Sequence, residues 1–307
     1  MASKRIKGQG IHIIHKAFKE GVDKYSYKKE HGHQMADKVF SYSEKRNLTD
    51  TWKNFSNFVR EYDPQIHYIK DLDKDHVQAF LDHKAETCTA NTLKTYKQNL
   101  LKIEKIANSY YSTCNLDVVK ETNIPTECKQ GSNKGVNNVI SREDYNKILD
   151  YCSKSNEQSC YAIRLQEHIA NRVAGTVSVR YSQYNANEGT ISIKGKGNKW
   201  HTVKLDDAGK KLIEEIHSKN FNQKDADRLF SIRPDTVNAE LSRIQGKLGI
   251  DRHSFHDVRR LKAQENYNYC RKELGMNRQE AINHTSKFLS HGENRNYMMC
   301  KSYIKAW

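Results

Sequence analysis

The chain has 307 residues, of which 36% are hydrophobic and 29% charged, and its formal net charge is +15. Its length favours two domains, and the positive excess, present both in the first 125 residues and in the remainder, favours a polyanionic partner because binding phosphates releases counterions. No stretch approaches the roughly 18 apolar residues of a membrane span, and the basic start lacks the apolar core of a secretory signal.

Seven cysteines form no CxxC pair, and their number is odd. This usage favours reduced thiols in a cytoplasmic protein over a disulfide framework. The histidines in "IHIIH" and "HGH" have no partner ligands at the spacing of a structural zinc site. The sequence therefore predicts neither a metal site nor a cofactor.

Residues 1–125 predict a helical domain. Apolar residues recur at helical spacing in three segments, 47–62, 73–85 and 89–111. In the first segment, Thr49 or Asp50 is the expected N-cap. The third segment has the most regular apolar stripe, and lysines flank it. A single lysine there is most simply a solvated side chain, but several such helices together fit a clamp on a DNA backbone.

Residues 126–140 are polar and lack periodicity, which predicts a linker to a second domain at 141–307. That domain opens with Ser141 followed by Asp144, a capping pair that predicts a helix start. Apolar and polar residues alternate in 190–194 and again in 201–205, on either side of "GKGNK", which predicts a β-hairpin. Helical patterns precede and follow the hairpin. The predicted fold class is mainly α with a small antiparallel β-sheet (α+β).

Five segments of the second domain follow one another in a particular order: "NRVAGTVSV", "IKGKGNKW", "HSFHDVRR", "LSHG" and "KSYIKAW". At these points the chain resembles the tyrosine recombinases, the integrases of phages and mobile elements. The resemblance covers residues 141–307, and residues 1–125 look like the family's core-binding domain by position and character. Position by position it implies six catalytic residues: Arg172, Lys196, His256, Arg259, His291 and Tyr303.

These residue types suit DNA cleavage without a metal. A tyrosine such as Tyr303 can attack phosphorus and hold the strand as a phosphotyrosine, and neighbouring cations favour its phenolate. Arg172 and Arg259 can present N–H donors to the non-bridging oxygens, where charge builds in the transition state. The resemblance implies that Lys196 protonates the departing 5′-hydroxyl. The two histidines can share the handling of protons.

The chain departs from the family pattern at two places. The family often has an acidic residue three positions after the first arginine, where this chain has Gly175. The family's tyrosine usually follows the second histidine by about nine residues, a position occupied here by Cys300. We predict Tyr303 as the nucleophile because "SYIKAW" resembles the family's sequence there, with Tyr297 and Cys300 as alternatives. Arg260 is interpreted as a backbone or surface charge.

The resemblance implies a site-specific DNA recombinase that acts through a 3′-phosphotyrosine. Its partners would be double-stranded DNA and three further copies of itself, a homotetramer on paired sites, with no membrane and no cofactor. Two alternatives stay open: a catalytically inactive DNA-binding relative, and a type IB topoisomerase. Covalent trapping on DNA separates an enzyme from a binder, and recombination between two sites separates the two enzymes. The basic start "MASKRIKGQG" is either a DNA-contacting arm or a disordered segment.

Overall fold

The structure is a computed structural model that describes residues 5–32, 35–131, 136–195, 200–292 and 294–307. It divides into two compact units, Met1–Ser132 and Asn133–Trp307. The division falls inside the segment predicted to be a linker. In the described part of the chain, no helix combines the length and the apolar character needed to cross a membrane.

The described residues of the first unit form five α-helices and one short 3₁₀ helix, Ile69–Asp71; the α-helices are α1 Ile6–Ala17, α2 Lys24–His31, α3 Tyr42–Tyr62, α4 Lys74–Ala85 and α5 Ala90–Tyr110. Their apolar faces enclose one core, centred on the fully buried Trp52, Phe55 and Phe80. Trp52 lies directly against Gly10, where a Cβ atom would approach the indole to 2.0 Å. The missing side chain therefore lets α1 pack closely on α3.

The three helices predicted from periodicity in this unit are confirmed, but two details of the prediction are wrong. Helix α3 begins at Tyr42 and is capped by Ser41, whose side chain accepts from the Glu44 N–H; the first turn is polar, so the apolar pattern did not reveal it. Thr49 lies inside the helix, and its hydroxyl donates to the Lys45 carbonyl. Residues 6–10 belong to α1 and bury Ile6, so this part of the start is helical rather than disordered; residues 1–4 lie outside the described residues, and a DNA contact by this segment stays a prediction.

The second unit combines helices with one small sheet. Its helices are α6 Arg142–Ser153, α7 Gln158–Ile169, α8 Val173–Val177, α9 Asp207–Ser218, α10 Pro234–Leu248, α11 Phe255–Lys272, α12 Arg278–Phe288 and α13 Asn296–Ser302. Its strands are β1 Tyr184–Asn185, β2 Thr190–Lys194 and β3 Trp200–Lys204, antiparallel in the order β1-β2-β3. The predicted fold class, mainly α with a small antiparallel sheet, is confirmed.

Two apolar clusters fill the second unit. One lies among α6, α7, α9, α10 and the sheet, and it includes the paired hairpin residues Ile191 and Val203. The other is built by α11, α12, α13 and the segment after α7, and it contains Tyr267, Met299 and Tyr303. The predicted nucleophile therefore belongs to a packed cluster rather than to a free C-terminal segment. All seven cysteines are free thiols.

Candidate active site

Arg259 is the central residue of the site and is fully buried on α11. Its Nη1 donates to the Ala170 carbonyl at 2.8 Å and its Nη2 to the Leu289 carbonyl at 2.5 Å. These carbonyls follow the last residues of α7 and α12. One guanidinium thus joins three segments of the unit, and its buried Nε has no hydrogen-bond partner.

The backbone turns sharply at both places where Arg259 binds. Ala170 has φ +44° and Ser290, which follows Leu289, has φ +55°. A side chain in this left-handed region costs about 1 kcal/mol or more. The first turn comes two residues before Arg172 and the second comes directly before His291. The strain therefore lies at the two points where the chain enters the site.

Tyr303 lies between the two predicted histidines. Its hydroxyl is 3.3 Å from Nε2 of His291, and its ring centroid is 5.3 Å from those of both His256 and His291. The guanidinium carbon of Arg259 is 5.9 Å from the same ring centroid. Only 5% of Tyr303 is exposed. The phenol is thus flanked by two imidazoles and one cation.

Arg172 is half-buried and follows the turn at Ala170. Its backbone N–H donates to the side-chain oxygen of Asn171 at 2.8 Å. Its positive charge contributes to lowering the pKa values of His256, Arg259 and His291, which places it in the same electrostatic cluster. Five of the six predicted residues are therefore brought together.

Lys196, the sixth predicted residue, lies outside the described residues. The strands on either side of it are described, and Lys194 pairs with Trp200 at the end of the hairpin. Its role stays a prediction.

The site strongly disfavours additional positive charge. Burial, followed by the charges of Arg260 and Arg259, lowers the pKa of His256 to about 4. Burial, followed by Arg259 and Arg172, lowers the pKa of His291 to about 4. Both imidazoles are therefore neutral near pH 7, so each can donate a hydrogen bond from one ring nitrogen and accept one at the other. Burial also lowers the pKa of Arg259 to about 10, which leaves it charged at neutral pH.

The alternative nucleophiles have different surroundings. Tyr297 is 78% exposed, and its hydroxyl accepts from Nζ of Lys301 at 3.2 Å. Cys300 is half-buried and its sulfur accepts from Arg278 at 3.7 Å. Of the three candidates, Tyr303 is the one whose hydroxyl bonds to a predicted site histidine.

The chain after Tyr303 packs back along α11. The Lys305 N–H donates to the side-chain oxygen of Gln264 at 2.6 Å, and the Tyr267 hydroxyl donates to the Trp307 carbonyl at 2.8 Å. The guanidinium of Arg271 lies 4.8 Å from the Trp307 ring centroid. These contacts pack the segment after Tyr303 against α11 of its own chain.

Two residues of this region were missed or misinterpreted from the sequence. His201 on β3 pairs with Ile193 and is half-buried, and burial followed by the charges of Arg259 and Arg172 lowers its pKa. The available signal was a polar residue on the inward face of the hairpin, two positions before Val203. Arg260 is not a surface charge, because only 14% of its side chain is exposed.

No group of three or more histidine, cysteine, aspartate or glutamate side chains suited to a metal ion occurs among the residues whose positions the structure gives.

Residues 138–285 match the model of the phage integrase family. This range contains Arg172, His256 and Arg259, whereas His291 and Tyr303 lie beyond its end. The second unit is thus similar to the phage integrase family over these residues, and the predicted resemblance to the tyrosine recombinases is confirmed. A comparison with curated proteins finds no match.

Solved structures of similar fold include three complexes with DNA. A lambda integrase tetramer bound to a Holliday junction has a TM-score of 0.65 at 14% identity, covering 92% of this chain and 78% of that one. A lambda integrase (75–356) dimer bound to a COC′ core site has a TM-score of 0.61 at 15% identity, covering 90% and 94%. The XerH site-specific recombinase bound to palindromic difH substrate has a TM-score of 0.56 at 17% identity, covering 83% and 78%. At these identities the similarity shows the fold.

Proposed function

We propose that this protein is a site-specific DNA recombinase that cuts and rejoins strands through a 3′-phosphotyrosine. The observation that carries the proposal is the 3.3 Å hydrogen bond between the Tyr303 hydroxyl and Nε2 of His291, beside His256 and Arg259. A phenol held between neutral imidazoles and next to a buried guanidinium has what phosphoryl transfer requires of a nucleophile.

The reaction proceeds by exchange of one phosphodiester bond for another. The Tyr303 oxygen attacks the scissile phosphorus, and its proton passes to the imidazole in contact, His291, whose pKa the negative charge of the bound phosphate raises. Arg172 and Arg259 neutralise the charge that builds on the non-bridging oxygens. The bond to the 5′-oxygen breaks, and that oxygen takes a proton from Lys196. Attack by a 5′-hydroxyl of a second duplex reverses these steps and releases the enzyme.

The same proposal assigns roles to the parts of the chain. Residues 1–125 form a core-binding domain, residues 126–140 a linker, and residues 141–307 the catalytic domain. Double-stranded DNA is the partner that the net charge of +15 favours. A structurally similar lambda integrase is a tetramer on a Holliday junction, and we extend that assembly to this chain as four copies on two paired sites.

Covalent trapping tests the proposal. Duplexes that bind the Tyr303→Phe variant are selected from a random-sequence pool, and one is then nicked near the expected cleavage position so that the released oligonucleotide diffuses away. Wild type is expected to accumulate a covalent protein–DNA adduct, which Tyr303→Phe abolishes. Tyr297→Phe is the matched control, because it removes a hydroxyl six residues away, and it is expected to keep the adduct.

Each of the other outcomes would assign the protein a different nucleophile or a different function. Loss of the adduct in Tyr297→Phe but not in Tyr303→Phe would identify Tyr297 as the nucleophile. Tight binding by wild type without any adduct identifies a DNA-binding relative without the activity. An adduct that relaxes supercoiled DNA but never joins two selected sites identifies a topoisomerase.

A further inference from the structure

Arg260 makes a contact that leads directly to the nucleophile. Its Nε donates to the Ser302 carbonyl at 2.8 Å. Ser302 is the last residue of α13, and its carbonyl belongs to the peptide group that continues into Tyr303. A hydrogen bond at this carbonyl fixes the peptide plane from which the Tyr303 side chain departs.

The other end of the Arg260 guanidinium is fixed as well. Its Nη1 donates to Oδ1 of Asp257, a carboxylate of which only 4% is exposed. The second oxygen of Asp257 accepts from the Ser254 N–H at 2.6 Å and from the Ser254 hydroxyl at 2.8 Å. Arg260 is therefore anchored to the first turn of α11, the turn that contains His256.

Helix α13 needs such an anchor. It has only seven residues, and a helix this short is not stable by itself in water. Its last carbonyls have no partner within the helix, and Ser302 supplies one of them to Arg260. Besides the packing of Tyr303 in its apolar cluster, a path of three contacts thus links its position to the helix turn of His256: Ser254 to Asp257, Asp257 to Arg260, and Arg260 to Ser302.

We infer that Arg260 is a positioning residue for the nucleophile, which it holds through the Ser302 carbonyl at the correct distance from the histidines and the scissile phosphate. This inference rests on the proposed function. Arg260 gives both of its hydrogen bonds to protein acceptors, the Ser302 carbonyl and the Asp257 carboxylate. It therefore acts on the rate of cleavage and not on the affinity for the site.

Two substitutions and one matched control test the inference. Arg260→Gln removes both charge-assisted bonds, and Arg260→Lys keeps a cation that can reach one acceptor. Arg243→Gln is the control, because Arg243 also pairs with an acidic residue three positions earlier, Glu240, but on α10 and half exposed. Each protein is assayed for DNA affinity, for adduct formation at saturating nicked duplex, and for amide hydrogen exchange over residues 296–304 without DNA.

For Arg260→Gln we expect exchange over residues 296–304 to rise by about tenfold or more, with unchanged exchange in α6 and α7. The single-turnover rate of adduct formation is expected to fall by about 10- to 100-fold, the size of a misplaced reacting group, while the dissociation constant for DNA stays within about twofold because no phosphate contact is lost. Arg260→Lys is expected to recover part of the rate, and Arg243→Gln to behave as wild type.

Several results overturn the inference. These are an Arg260→Gln rate equal to that of the control, unchanged exchange over residues 296–304, and a rate loss matched by an equal loss of DNA affinity. If Arg260→Gln does not fold, the same criteria apply to Arg260→Lys. A wild type that forms no adduct on DNA that it binds overturns the proposed function and this inference with it. A reactive wild type beside an unimpaired Arg260→Gln overturns this inference alone.

Discussion

The side chain of Asn171 occupies the space in front of Gly175. A Cβ atom on Gly175 would lie 2.2 Å from Nδ2 of Asn171, and Asn171 is only 1% exposed. The other side-chain atom, Oδ1, accepts from the backbone N–H of Arg172 at 2.8 Å. The glycine at position 175, which departs from the family pattern, therefore leaves room for the side chain of Asn171, the residue next to Arg172.

Gly175→Ala is expected to destabilise the second unit and to slow cleavage. The added methyl group must displace Asn171, and overpacking of this kind costs about 1–3 kcal/mol of unfolding free energy. Displacement of Asn171 also releases the backbone of Arg172. Urea unfolding and the adduct assay measure the two effects.

Gly246→Ala is the matched control for this substitution. Gly246 also lies in a helix, α10, but a Cβ there meets nothing within 4 Å. Alanine at such a position is expected to stabilise the protein by about 0.5–1 kcal/mol. Equal stability of Gly175→Ala and wild type would contradict the account of Asn171.

The two site histidines make the protein sensitive to acid. Because their pKa values fall from the ordinary 6.5 to about 4 in the folded state, the unfolded chain binds more protons between these limits. Stability is therefore complete above about pH 6.5 and is lost as the pH falls towards 4. Thermal unfolding between pH 7 and pH 4 measures this loss.

The contribution of these histidines is separable from general acid unfolding. The double variant His256→Gln, His291→Gln is expected to lose less of its midpoint temperature between pH 7 and pH 4 than wild type does. Replacement of the exposed His67 by glutamine is expected to leave the wild-type slope. A double variant with the same slope as wild type would show that folding does not lower the pKa values of the two imidazoles.

Arg259→Lys is expected to damage the site although the charge is kept. A lysine has no planar fork, so it cannot bond the Ala170 and Leu289 carbonyls as Arg259 does. Loss of one pre-organised donor in a transition state typically costs about 100- to 1,000-fold in rate. The adduct rate at saturating DNA measures this, together with a lower midpoint of thermal unfolding.

The same change at Arg271 tests whether the effect is particular to the site. Arg271 also lies on α11 and donates from Nη1 to the Met276 carbonyl at 2.6 Å. Arg271→Lys is expected to keep the adduct rate within about threefold of wild type. Similar losses in both variants would indicate a general effect on α11 rather than a role of Arg259 at the phosphate.

Periodicity predicted elements whose apolar residues recur regularly, such as α4, α5 and the hairpin, since each of these buries one face. It did not predict α1 or α13, because α1 is rich in polar and glycine residues and α13 is too short for a repeat. The order of the five segments predicted the site residues from the resemblance. It did not reveal how Arg259 is held, because its carbonyl partners lie 89 and 30 residues away.

The interpretation of Arg260 failed for a related reason. A helix with two adjacent arginines predicts that one of them faces solvent, since neighbouring side chains point in different directions. The Ser302 carbonyl, which gives Arg260 a half-buried partner, is 42 residues away. Likewise, the left-handed backbone of Ala170 and Ser290 has no sequence signal, because neither residue is glycine. Tertiary contacts determine the orientation of Arg260 and the left-handed backbone at Ala170 and Ser290.

Lys196→Ala is expected to slow cleavage in a way that depends on the leaving group. If Lys196 donates the proton to the 5′-oxygen, its loss costs about 100- to 10,000-fold with an ordinary phosphodiester. When sulfur replaces that bridging oxygen, the leaving group departs as a thiolate. Because a thiolate is much more stable than an alkoxide at neutral pH, the variant is expected to approach the wild-type rate on this substrate. Lys199→Ala removes the other lysine of the "GKGNK" stretch and is expected to cleave both substrates normally. A Lys196→Ala variant equally slow on oxygen and sulfur would assign Lys196 to DNA binding, and a sulfur-rescued defect in Lys199→Ala would move the acid to Lys199.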